Sequence, residues 1–202
     1  MVNTAVRDRA SRELTFETSS SFSVTVEFAI SASEHRRRRS VPIGAVTSLA
    51  MLERVHAIGR EWIDATPADQ ALARRAGPLF ELSERRGRPA RIRAVPRVVA
   101  TPRSIELTST SWARGFRAIS RFAGLAARTL VLQQPPRDTE LAVLECSWFG
   151  LGLAVETAEG RTSLVEPASF ERDHFTPTAW LFGEQLYDHF LKSRSDRTSA
   201  TL

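Results

Sequence analysis

The sequence predicts an α+β fold, with an antiparallel sheet built from N- and C-terminal strands and about four helices packed on one face. Three observations carry this expectation. Phe22, Val24, Val26, Phe28 and Ile30 alternate with Ser23, Thr25, Glu27 and Ala29, the period-two pattern of a half-buried strand. Met51, Val55, Ile58 and Trp62 recur at the spacing of one helical face. Leu141 to Val155 is a nearly continuous apolar run with β-branched and aromatic residues, as in buried strands.

The elements follow in order. Leu14 and Phe16 belong to a strand before the alternating one, with Ser19-Ser20-Ser21 as the turn of a hairpin. Arg36, Arg37, Arg38 and Arg39 follow His35 and precede Ser40 and Pro42, which reads as a loop because like charges repel into solvent. Gly44 to Asp64 reads as a core helix with Glu53, Arg54, Arg60 and Glu61 outside.

Thr66, Pro67 and Asp69 have the spacing of a capping box at the start of the next helix, and Gly77-Pro78 stops it. A short helical segment from Leu79 to about Arg86 would follow. The two helices have the outline of a helix-turn-helix, but the second is only about two turns long and Pro78 sits where the turn leads into it. From Arg88 to Ala100 the chain reads as a strand with Arg91, Arg93 and Arg97 on one face, demoted to an edge or bulge by Pro96. Ile105 and Leu107 suggest another short strand.

Trp112 to Leu132 reads as one helix. Trp112, Phe116, Ile119, Ala123, Ala126 and Leu130 lie in a narrow arc, with Arg114, Arg117, Arg121 and Arg128 opposite and no acid anywhere in the segment. Gln133-Gln134-Pro135-Pro136 marks an internal boundary. Leu141 to Val155 then supplies one or two buried strands, and the Ala158-Glu159-Gly160-Arg161 turn leads into a hairpin-like return over Thr162 to Val165. Thr176 and Pro177 open a last helix with Ala179, Phe182, Leu186, Tyr187 and Phe190 inward and Glu184, Gln185, Asp188, His189 and Lys192 outward. The expected organisation is a flexible arm over 1–11, a strand hairpin with a basic helical and strand region over 12–134, an acidic β-hairpin and C-terminal helix of the same compact domain over 138–192, and a flexible tail over 193–202.

Charge is distributed unevenly. Thirteen arginines and three acids fall between Arg74 and Arg128, whereas residues 138–202 hold eleven acids against five bases. Twenty-seven of the twenty-eight basic residues are arginine, a bias that GC-rich, bacterial-type coding also produces, so position says more than number. A helical arginine stripe without acids gives up the i,i+4 pairs that ordinary surface helices use, so an anionic neighbour is expected beside it.

Two partners fit. Nucleic-acid phosphates would be contacted by Arg114, Arg117, Arg121 and Arg128, aided by Arg91, Arg93 and Arg97 and by Arg36, Arg37, Arg38 and Arg39. An acidic protein surface, either a partner's or this chain's own acidic C-terminal half, fits the same stripe. The first reading is a non-enzymatic nucleic-acid-binding or nucleoprotein accessory protein. The alternative is a protein-interaction or assembly subunit, and a homo-oligomer is compatible with either.

No catalytic motif, Walker loop, paired C-x-x-C or H-E-x-x-H is present, and Gly150-x-Gly152 lacks the third glycine of a dinucleotide fingerprint. No catalytic residue, metal or cofactor is assigned. A third alternative, a metal- or Cys-dependent enzyme, would have to use Asp173-His174 with Glu184, Asp188 and His189, or Cys146. Cys146 is the only cysteine, and its setting among apolar residues reads as a small buried hydrophobe. No secretory signal or transmembrane segment is expected, which points to the cytoplasm.

Overall fold

The computed structural model describes residues 11–18, 22–84, 88–172 and 174–199. Most of the expected N-terminal arm, the Ser19-Ser20-Ser21 turn, the Arg85-Arg86-Gly87 segment, Asp173 and residues 200–202 lie outside the described residues. The fold is α+β, with six α-helices, a mixed six-stranded sheet and a separate three-stranded sheet among the described residues.

β1 (Ser11–Thr18) and β2 (Phe22–Ile30) form the antiparallel hairpin that the alternation predicts, with Leu14 opposite Val26 and Val24, Val26 and Phe28 buried. The arginine run that follows is helix α1 (Ala32–Ser40), not a loop. Its like charges are tolerated because Glu34 supplies an anion within the same helix, pairing with Arg37 at i+3 and Arg38 at i+4.

α2 (Leu49–Ile58) is shorter than the sequence suggests. The Ser48 hydroxyl caps its start by accepting from the Met51 N–H at 3.3 Å, and Gly59 ends it, leaving Trp62 outside the helix and Ile63–Asp64 as strand β3. α3 (Pro67–Ala76) carries the capping box read from the sequence, with the Thr66 hydroxyl accepting from the Asp69 N–H and the Asp69 carboxylate from the Thr66 N–H, each at 3.2 Å.

The expected second helix is instead a single 3-10 turn (Gly77–Leu79) and strand β4 (Phe80–Ser83). β4 pairs with β5 (Arg91–Ala94), which aligns Leu82 with Ile92, and this sheet pairing replaces the helix-turn-helix outline. β6 (Ala100–Ser109) runs through Pro102 and buries Ile105 and Leu107.

The expected helix from Trp112 to Leu132 divides in two. α4 (Trp112–Ser120) ends in a turn where Gly124 takes a left-handed φ of 77°, and Ala127–Leu132 becomes strand β7. The helical spacing of Ala126 and Leu130 continues across that turn by coincidence. Leu130, Val131 and Leu132 are buried in the sheet.

α5 (Thr139–Trp148) occupies the first part of the apolar run that reads as strand, and the second part is β8 (Gly152–Thr157). Asp138 sets the helix start, its carboxylate accepting from the Leu141 N–H at 3.0 Å. β9 (Gly160–Val165) returns antiparallel beside β8, the expected hairpin, with Gly160 and Arg161 of the expected turn already in the strand. α6 (Pro177–Ser199) starts where Thr176 caps it and extends into part of the tail expected to be flexible.

The six strands are ordered β1-β2-β6-β7-β8-β9. β6, β7 and β8 run parallel, joined through α4 and α5, so the sheet is mixed where an antiparallel one is expected. Gly115 lets α4 lie close on this sheet, since a Cβ there would stand 2.7 Å from Leu130 Cδ1 and 2.9 Å from Ser109 Cβ. The smaller sheet is ordered β3-β5-β4.

The chain divides into two compact units, the described residues of Met1–Ala29 with Thr101–Asp173 and those of Ile30–Ala100 with His174–Leu202. The first holds most of the six-stranded sheet with α4 and α5. The second packs α2, α3, the small sheet and α6 around a core that includes Leu52, Val55, Ile58, Phe80, Ile92 and Trp180.

Candidate interaction surfaces

In the first unit, α4 presents Arg114 and Arg117 to solvent and Arg121 follows at its C-terminal cap. All three are exposed, no acid lies in α4, and none of the three makes an ion pair among the described residues. Arg128, expected as the fourth member of the stripe, sits on β7 instead. It is partly buried, burial lowers its pKa, and its guanidinium donates to the Phe149 carbonyl at 3.3 Å.

The neighbouring segment is a helix where the apolar run suggests strand, and its surface is exposed and apolar. α5 buries Ala142 and Cys146 and leaves apolar side chains on its outer side. Leu141 is 50% exposed, Leu144 65%, Trp148 83% and Phe149 57%. Leu141, Leu144 and Trp148 stand at i, i+3 and i+7, which makes one continuous ridge. Phe149 meets Phe116 of α4 edge-on at 5.8 Å, and Phe116 lies 5.1 Å from Trp112. These aromatic contacts join the apolar side of α4, opposite its arginines, to Phe149 at the end of α5.

A groove of about 560 Å³ opens beside them, lined by Trp112, Pro135, Pro136, Arg137, Asp138 and Leu141 among others. Local signals for this arrangement are present in the sequence. Pro135-Pro136 followed by Asp138 with a turn's spacing to Leu141 is a helix start.

In the second unit the remaining arginines separate. Arg38 is 1% exposed and cannot reach a partner, because its guanidinium is held by Glu34 and by both carboxylate oxygens of Glu184. Glu184 therefore faces inward, against expectation, and also accepts from the Trp180 indole N–H at 3.1 Å and the Val46 N–H at 2.8 Å. Arg91 donates to the Trp62 carbonyl and lies 4.0 Å from Asp64. Arg36 reaches the Ala32 carbonyl within α1, and Arg39 is exposed on the same helix.

Arg37, Arg93 and Arg97 do come together, around a cleft of about 390 Å³ that Arg60 also lines. Nothing in the sequence separates Arg60 from the other outer charges of the helix expected over Gly44 to Asp64.

The residues considered for catalysis diverge. Asp188 pairs with Lys192 at 2.6 Å while Glu184 is committed to Arg38, and no three His, Cys, Asp or Glu among the described residues form a group that could hold a metal ion. Cys146 is fully buried, and burial, aided by the Glu145 charge, pushes its thiol up to about 11. Among the described residues no helix is long and apolar enough to cross a membrane. No protein-family model matches this chain, and neither a curated protein nor a solved structure does.

Proposed function

We propose that this protein is a non-enzymatic interaction subunit whose first unit docks an acidic, amphipathic segment of a partner protein on α4 and α5. The observation that carries the reading is the exposed ridge of Leu141, Leu144, Trp148 and Phe149 in the same unit as three exposed arginines of α4 that make no ion pair among the described residues. Contiguous apolar side chains of this size on a surface mark a site of association. A helix with apolar residues along one stripe and carboxylates along its flank matches both features.

Other occupants match less well. A second copy docked through the same face would set arginines against arginines. An anionic bilayer is flat where the groove is concave. Nucleic acid remains the competing reading for the arginines, but its phosphates leave Leu144 and Trp148 without a role.

The test uses a fluorescein-labelled helical peptide with leucines at i, i+3, i+4 and i+7 and glutamates on its flanks. Anisotropy is compared for wild type, Leu144→Ser/Trp148→Ala and Arg114→Ala/Arg117→Ala/Arg121→Ala, with a random DNA duplex and anionic vesicles as parallel ligands. Peptide binding weakened about tenfold or more by each set of changes supports the reading. Salt-sensitive duplex binding that needs the arginines and ignores Leu144 and Trp148 moves the function to nucleic acid. Vesicle binding that needs both sets moves it to a lipid surface, and failure of all three ligands to bind folded wild type removes the proposal.

A further inference from the structure

The cleft of the second unit is independent of the α4 and α5 surface and carries its own chemistry. Four guanidinium groups line it, from Arg37 on α1, Arg60 after α2, Arg93 on β5 and Arg97 in the following connection, against the carboxylates of Glu34 and Glu81. That leaves an excess of two positive charges at the cleft.

The four arginines have different roles. Arg37 is fixed by Glu34 through a fork of 2.9 and 2.7 Å. Arg93 is fixed by Glu81 at 2.6 Å and lies 4.8 Å over the Trp62 ring. Arg60 and Arg97 are exposed and make no ion pair among the described residues. Two anchored cations and two uncommitted ones around one concavity form a partly pre-organised anion receptor.

The size and walls of the cleft narrow the ligand class. At about 390 Å³ it lies in the lower part of the range for small-molecule sites, and a duplex does not fit within it. Charged groups and the Ser33 hydroxyl dominate its lining, which does not suit an acyl chain. Arginine forks suit the oxygens of a phosphate, and a dianion matches the charge excess. We infer that this cleft binds a compact phosphate ester, with Arg60 and Arg97 as the groups that the phosphate recruits and Arg37 and Arg93 as its fixed walls.

The experiment is isothermal titration of the full chain at low ionic strength with inorganic phosphate, AMP and succinate. The variants are Arg60→Ala/Arg97→Ala and, as a control outside both proposed surfaces, Arg75→Ala on α3, which is exposed and does not line the cleft. Saturable binding of phosphate or AMP is expected, tighter than succinate, weakened about tenfold or more in Arg60→Ala/Arg97→Ala and unchanged in the control. Both cleft arginines are exposed, so the melting temperature of the variant should stay that of wild type, which separates lost binding from lost structure. The inference is overturned if folded wild type binds neither phosphate nor AMP, if the cleft variant binds as wild type does, or if succinate binds as tightly. None of these results bears on peptide docking at α5.

Discussion

Arg38 and Glu184 stand 146 residues apart in the chain and meet as a two-pronged ion pair, both contacts 2.6 Å, with neither side chain more than 1% exposed. Burial alone would lower the pKa of the Arg38 guanidinium, but the hydrogen bonds and charges of Glu184 and then Glu34 raise it. The pair ties α1 to α6, and the Trp180 indole and the Val46 N–H occupy the remaining acceptor capacity of Glu184.

Removing one partner leaves the other charged in a dry site. Glu184→Gln is expected to cost about 3–5 kcal/mol, read as a lower urea midpoint at unchanged slope. A midpoint shift equivalent to less than about 1 kcal/mol would mean that water reaches Arg38.

Acid should weaken the same cluster through Glu34. Burial on its own would raise the Glu34 carboxyl, but hydrogen bonds and charges from Arg37 and Arg38 hold it below its ordinary value of 4.5. A carboxyl with a depressed folded-state value stabilises the fold above its unfolded value and loses that contribution as pH falls through the folded one. Melting temperatures recorded from about pH 7 down to about pH 3 should therefore drop below about pH 4.5, and Glu34→Gln should flatten that limb while lowering stability at neutral pH. Parallel acid limbs in the two proteins would assign the drop to other carboxylates.

Cys146 should be inert while the protein is folded. With its thiol buried and pushed up to about 11, little thiolate forms near pH 8. Native protein should not react with Ellman's reagent over an hour and should give one equivalent at once in denaturant. Rapid native labelling would mean that α5 opens readily.

The outer side of α5 and the sheet beneath it should respond oppositely to truncation. Leu144→Ser and Trp148→Ala should each change stability by no more than about 0.5 kcal/mol, because these side chains bury little in the folded chain. Leu130→Ala, at a site with no exposure, should cost about 2–5 kcal/mol. Chemical denaturation of the three variants checks the contrast, and a large loss for Trp148→Ala would place its ring in a packed site.

Gly115 is expected to resist even the smallest side chain. The added Cβ of Gly115→Ala would crowd Leu130 and Ser109, so α4 must lift from β7 at a cost of about 1–3 kcal/mol despite the better helix propensity of alanine. A thermal melt equal to or above that of wild type would show that Leu130 gives way freely.

The parts legible in the sequence are those determined by neighbours along the chain. Thr66 and Asp69 cap α3 within one turn, Thr176 and Pro177 open α6, and the alternation from Phe22 to Ile30 needs only its own pleat. α1 was hidden because part of the counter-charge for its arginines is Glu184, far along the chain. The segment from Trp112 to Leu132 looked like one helix because its apolar spacing passes through the turn at Gly124 unchanged. α5 looked like strand because Leu141, Leu144 and Trp148 make the run apolar on all sides, a pattern that ordinarily means burial on all sides. The candidate docking surface was thus concealed by its own hydrophobicity. Of the arginines singled out, Arg114, Arg117 and Arg121 stay together, while Arg128 and Arg38 are drawn off by the strand and the buried pair.

The interleaving of the two units has a consequence for synthesis on the ribosome. The second unit takes α1 to β5 from the first half of the chain and α6 from its end, with the whole segment Thr101–Asp173 translated in between. While that segment emerges, the nascent chain holds Arg38 without Glu184 and the α2 face without Trp180. The second unit therefore closes only after translation has passed α6, and a ribosome stalled before Glu184 displays an apolar surface that chaperones recognise.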